Sequence, residues 1–497
     1  MERDILLETA ERPRAPRRVA FAVAAVALLA SLVVPDVPPG LSLTLVAFGV
    51  AGAIALAALV EADRVSLLYA GLALALATMP IVRASEWVLA VDLMAALGLG
   101  ALALVRAVAW REIFRAPLTV MSKLWPAAGF VVSPLLPRRG APGRLGPVLR
   151  GAVLGSLLLL VFGSLFASAD RAFARIVTDL LLPNVDLGLV PARLIVFGVT
   201  LVGSGALILS GRRYALAADG DVSVSEPTRR LGRTEWLTAL TLLDLLFVGF
   251  VLVQVTVLFA GHPYVLATEG VTYAEYARQG FFQLLAVGAL TLAVIAGAVR
   301  WARREGSRDT LLLRLLLGTL SLLTLVILAS ALRRLNLYED AYGLTQLRLS
   351  VHATILWMAG IFVLLLVAGA TMRTSWLPRV AVLFTAAGLV VFTLVNPDGI
   401  VAARNVARFE ATGELDLAYV QALSVDAVPA LAALPPGLRC WALRPIADRL
   451  TLSDPFLGWN LSRARARSVL GSRVGAMAPG CDPEVLQQLP FGPLGGI

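Results

Sequence analysis

The sequence predicts an all-α fold: a polytopic membrane helix bundle of about eleven transmembrane helices, with a small helical extracytoplasmic C-terminal domain. Three observations predict it. The chain of 497 residues is 58% hydrophobic and only 15% charged, with a mean hydropathy of +0.82, too little charge to cover a soluble surface of that size. Apolar stretches approach or exceed the roughly 20 residues that cross a hydrocarbon core. The basic residues between them alternate in number from loop to loop.

The expected spans are 19–34, 41–60, 65–82, 87–109, 151–168, 190–210, 236–260, 280–299, 311–332, 351–372 and 376–395. The first is short, and Arg17 and Arg18 can snorkel from its end. It has no small-residue cleavage site, and the next span follows almost at once, so it reads as a span and not a signal peptide. With span-end arginines counted in the adjoining loops, 25 basic residues fall on the side of the N-terminal tail and 8 on the other. The positive-inside rule then sets the N-terminus in the cytoplasm and the C-terminal domain outside. The localisation implied is the bacterial cytoplasmic membrane, multi-pass. The expected divisions are a cytoplasmic tail (1–18), a four-span region (19–109), an interfacial amphipathic connection (110–150), a seven-span core (151–395) and an extracytoplasmic domain (396–497).

Between the spans, 127–136 is apolar but too short to cross, so it reads as part of an interfacial segment. Phe173, Ile176, Leu180 and Leu181 share a helical face, predicting a second interfacial helix outside. The net charge of +10 has its explanation in loop arginines that meet anionic lipid, which excludes a nucleic-acid patch. Lys123 is the single lysine. Both cysteines, Cys440 and Cys481, fall in the outer domain, where an oxidising compartment favours one disulfide.

The sequence contains no phosphate-binding glycine loop, no dinucleotide fingerprint, no H-E-x-x-H, no C-x-x-C and no G-x-S-x-G. With His262 and His352 as the only histidines, no metal site is expected, and no cofactor.

The candidate site residues gather on the outer face. In Thr272–Gly280, Tyr273 and Tyr276 are neighbours at helical spacing, and Glu275 lies one turn from Arg278. An aromatic belt with a capping ion pair accounts for the same residues. In the second segment Arg333 and Arg334 precede Tyr342, Thr345, Arg348 and His352, which step by three, three and four and would share one face of a helix entering span ten. Arg suits bidentate capture of carboxylate or phosphate. The competing expectation is that Arg348 snorkels outward and pairs with Glu339 or Asp340. Asp170 and Arg193, beside spans five and six, and Asn396, Asp398 and Asn405 after span eleven belong to that face too. Within the spans, Asp92 and Asp244 stand out. Asp244 lies about 13 Å deep at 1.5 Å per residue, where Arg314 is the expected partner.

Several of these stretches resemble one family. They are Leu165-Phe-Ala-Ser-Ala-Asp170 with Phe173; Tyr273-Ala-Glu-Tyr-Ala-Arg278 with Gly280 and Phe281; Tyr338, Ala341-Tyr-Gly-Leu-Thr345 and Arg348; Asn396, Asp398 and Asn405; and Leu415-Asp-x-x-Tyr419 with Leu423-Ser-x-Asp426-Ala427. In this order they are similar to the bacterial membrane proteins grouped as domain of unknown function 4173, related to 4153. The resemblance covers roughly 150–434. It implies a polytopic membrane protein and supplies no activity.

Three functions fit these features. The first is an outward-facing site for an anionic or lipid-linked envelope substrate, with Arg278, Arg333, Arg334 and Arg348 holding the anion and Glu275 or His352 handling a proton. A lipid-linked glycosyl transferase is one version, with Asp36 as the only acid of the first outer loop. The second is a secondary transporter that uses Asp92, Asp244 and Arg314, although no inverted repeat is evident. The third is a sensor or assembly factor. The expected partners are the bilayer and such a substrate, and no nucleic acid.

Overall fold

A computed structural model describes residues 15–58, 63–132, 134, 189–211, 231–260, 281–371, 374–450, 453–471 and 481. Expected span five, the interfacial helix after it, and the candidates Asp170, Tyr273, Glu275, Tyr276 and Arg278 lie outside the described residues.

The helices follow the apolar runs. They are α1 Arg17–Val33, α2 Leu41–Ala58, α3 Arg64–Ala77, α4 Met79–Val82, α5 Glu86–Val105, α6 Trp110–Val132, α7 Val190–Ser210, α8 Arg233–Ala260, α9 Phe281–Trp301, α10 Ser307–Tyr342, α11 Gln346–Thr371 and α12 Leu377–Leu394. Then come α13 Pro397–Thr412, α14 Leu417–Gln421, α15 Val428–Leu431, α16 Pro436–Arg449 and α17 Leu461–Leu470. Among the described residues there is no strand, and eight helices (α3 taken together with α4) are long and apolar enough to cross a membrane. The first two expected spans are helical but are not among those eight.

The chain forms two compact units, one of Met1–Asp221 with Leu450–Gly475, the other of Val222–Arg449 with Ala476–Ile497. In the first unit, Val19, Ala20 and Val23 of α1 pack with Ala53 and Ala57 of α2, Ala206, Ile208 and Leu209 of α7, and Ala127, Phe130 and Val131 of α6. The 127–136 stretch thus begins inside the core: α6 buries its C-terminal end and exposes Phe114, Leu118, Met121 and Trp125 further back. The face changes along a helix that contains Pro117 and Pro126.

One end of this unit is clasped by the C-terminal segment. Asn460 is fully buried, donates to the carbonyls of Pro80 (2.7 Å) and Arg83 (2.8 Å), and caps α17 at Arg463. These bonds satisfy carbonyls that the end of α4 leaves without helical partners. Arg463 reaches Pro39 O and, with Arg467, pairs with Asp454. Gly40 has to be glycine here, because a Cβ would stand 2.6 Å from the carbonyl oxygens of Gly458 and Trp459.

The second unit is tied at one end of its spans. The backbones of Leu231 and Trp301–Arg303 exchange hydrogen bonds, Arg233 pairs with the buried Asp309 at 3.0 Å, and Trp236 Nε1 donates to Arg303 O. The start of α8, the end of α9 and the start of α10 therefore share one level. Above it, Phe247, Leu284, Ile295, Leu320, Ile327, Leu328, Val351, Ile355 and Phe362 form the core of α8–α11. With 36 residues, α10 runs about 54 Å, well beyond a hydrocarbon core of roughly 30 Å. Its last turns carry the candidate site.

Candidate functional site

The site is built on the turn from α10 to α11. Gly343 ends α10 with φ +77°, a left-handed value that favours glycine, and its N–H donates to Glu339 O at 2.7 Å. Thr345 restarts the chain as a helix by accepting the N–H of Arg348 on its hydroxyl. Tyr342 and Arg348 consequently sit on different helices. The single face expected for Tyr342, Thr345, Arg348 and His352 does not form, because the glycine breaks the helix between them.

The fold still brings these residues together. Arg348 lies over the Tyr338 ring, its Cζ 4.1 Å from the centroid, and 6.0 Å from the Tyr342 ring. The two tyrosine rings are 5.0 Å apart and tilted by 59°. Arg348 Nη1 donates to Gly343 O. His352 stands one turn along α11, with Nδ1 3.0 Å from Glu339 Oε1 and 3.1 Å from Arg348 O. Nε2 lies 2.8 Å from Asn336 Oδ1. The pairing of Arg348 with Glu339 or Asp340 is thus corrected: Glu339 goes to His352, and among the described residues no carboxylate pairs with Arg348. Arg333 is exposed on α10, and Tyr342 is 54% exposed.

Residues after span eleven brace this turn. Asp398, fully buried, accepts from Gln346 Nε2 at 2.8 Å and from Ser424 N at 3.2 Å. Gln346 N donates to the Tyr419 hydroxyl at 2.6 Å. Burial pushes that hydroxyl up from its ordinary value, the more so beside Asp398 and Asp416, while its bond from Gln346 and the charge of Arg348 pull the other way. Asn405 Nδ2 donates to Leu344 O, and Asn396 caps α13 at Gly399 while its amide reaches Asp426 O. The motif-like residues at 396, 398, 405, 419 and 424 therefore hold backbone in place. Sequence reasoning did not single out Asn336 or Gln346, whose partners are 16 and 52 residues away.

Elsewhere, Asp36 is bound to Arg193 at 2.6 Å. Asp92 is fully buried and engaged by neighbouring groups. Asp244 does not pair with Arg314: its Oδ2 is buried without a hydrogen-bond partner. Cys440 and Cys481 are joined as a disulfide. Among the described residues no three His, Cys, Asp or Glu side chains converge to hold a metal ion.

These features define a multi-pass, all-helical membrane protein with a polar site at a span boundary. The chain belongs to the family described as domain of unknown function (DUF4153), which matches residues 70–434. The match begins in α3, well before residue 150, and takes in the whole turn and its brace. No curated protein and no solved structure matches the chain.

Proposed function

We propose that the cluster of Tyr338, Tyr342, Arg348 and His352 faces the outside of the bacterial cytoplasmic membrane and binds the anionic head of a lipid-linked envelope substrate. The kinship read from the motifs with domain of unknown function 4173 accompanies this reading. One observation carries it: Arg348 is fixed by a carbonyl and an aromatic face, yet among the described residues no carboxylate neutralises it. A guanidinium held this way keeps its remaining N–H groups for a phosphate or carboxylate. Tyr342 offers an exposed ring for stacking, and Arg333 adds charge on the approach. His352, oriented by Glu339, is placed to move a proton at the bound head group. In the part of the chain outside the described residues, Tyr273, Tyr276, Arg278 and Asp170 would complete the outer face. Asp36 is occupied by Arg193, which weakens its case as a transferase acid.

The test uses Tyr342→Cys. Both native cysteines are bonded to each other, so the new thiol is the free one. A membrane-impermeant maleimide should label it from outside intact cells, and a short polyprenyl phosphate should protect it. Labelling only after lysis would overturn the orientation, and unaltered labelling with the phosphate present would overturn the binding site.

A further inference from the structure

A buried acid lies deep in the same unit, apart from the cluster at Arg348. Helix α8 buries one stripe: Trp236, Leu240, Asp244 and Phe247. Three of the four are apolar and pack against α9, α10 and α11. Asp244 is the fourth, 7% exposed, with Oδ2 buried and lacking a hydrogen-bond partner. It faces protein, while its neighbours Leu242, Leu245 and Leu246 face outward.

The tied ends of the helices set its depth. Asp244 lies 11 residues beyond Arg233 and Ser321 lies 12 beyond Asp309, the partner of Arg233. Thr291 lies 11 residues before Ala302, which is bridged to Leu231. All three stand about 16–18 Å above that end. Thr291 and Ser321 are 2% and 3% exposed. Their hydroxyls donate to Val287 O and Leu317 O of their own helices. These two hydroxyls thus have their hydrogens committed to their own helices.

Among the described residues no cation pairs with the acid. The charged and titratable groups on the surrounding helices lie towards their ends: Arg300 on α9; Arg308, Asp309 and Arg314, then Arg333, Arg334, Glu339 and Asp340 on α10; Arg348 and His352 on α11. Among the described residues, Arg314 makes no ion pair with Asp244. A bare carboxylate at such depth, with a buried oxygen that accepts no hydrogen bond, is costly unless it carries a proton.

We propose that Asp244 is a membrane-embedded proton-binding site, through which this chain takes up and releases a proton within the bilayer. The test uses the full chain in native membrane vesicles and an apolar carbodiimide, which converts a protonated membrane carboxyl into a stable N-acylurea. Peptide mass mapping should find the adduct at Asp244 in acidic buffer. The adduct should be lost as pH rises and be unaffected by sodium salts, and Asp244→Asn should carry none at this position. No adduct at any pH, or a yield independent of pH, would overturn the proposal. Protection by sodium would overturn it in favour of a sodium site. The wild-type chain supplies the decisive reading, so folding of the variant does not limit the test.

Discussion

The side-chain amide of Gln346 donates to the fully buried carboxylate of Asp398 at 2.8 Å. This bond links the first residue of α11 to the first turn of α13, and so ties the turn that carries Arg348 to the segment after the last span. Asp398 also receives Ser424 N–H.

Asp398→Ala should therefore leave two part-buried donors without an acceptor, at a cost of about 2 kcal/mol. Asp398→Asn, which keeps an acceptor oxygen, should cost less. Thermal unfolding of the detergent-purified protein measures both. An alanine variant as stable as wild type would show that the brace does not hold the turn.

Tyr419 predicts a pH dependence. Its hydroxyl titrates above its ordinary value in the folded chain, chiefly through burial. A raised folded value adds stability that is fully present below the ordinary value, near 10, and is lost as pH rises through the folded one. Tyr419→Phe should cost about 1 kcal/mol at neutral pH, because Gln346 N loses its acceptor. The gap to wild type should narrow in alkaline buffer. A gap that widens with pH would contradict this assignment.

The spans are legible in the sequence because length and apolarity alone decide whether a helix can cross a bilayer, and α8, α10 and α11 follow the apolar runs closely. The loop between α10 and α11 is less legible. The polar stretch from Arg333 to Ser350 reads as an outer connection, yet helix persists to Tyr342 and resumes at Gln346. Hydropathy marks where a helix leaves the membrane, and only the glycine at 343 marks where it ends. The choice of partner is not legible either. Glu339 lies nine residues from Arg348 and 13 from His352, and spacing across a turn does not say which of them it meets. Motif spacing likewise points to Asp398 and Asn405 without showing that both serve the backbone. For Asp244, the sequence suggests Arg314 as partner and the structure does not pair them, because the side of a helix that faces a neighbour is set by packing.

The most direct test of the central claim is native mass spectrometry of the purified full-length protein with a short polyprenyl phosphate and the matching polyprenol. Wild type should retain the phosphate in preference to the alcohol. Arg348→Ala should weaken that preference about tenfold or more, as expected for loss of charge-assisted hydrogen bonds. The exposed Arg465→Ala on α17 should leave it unchanged. Equal retention of phosphate and alcohol by wild type, or full retention by Arg348→Ala, would contradict an anion site at Arg348.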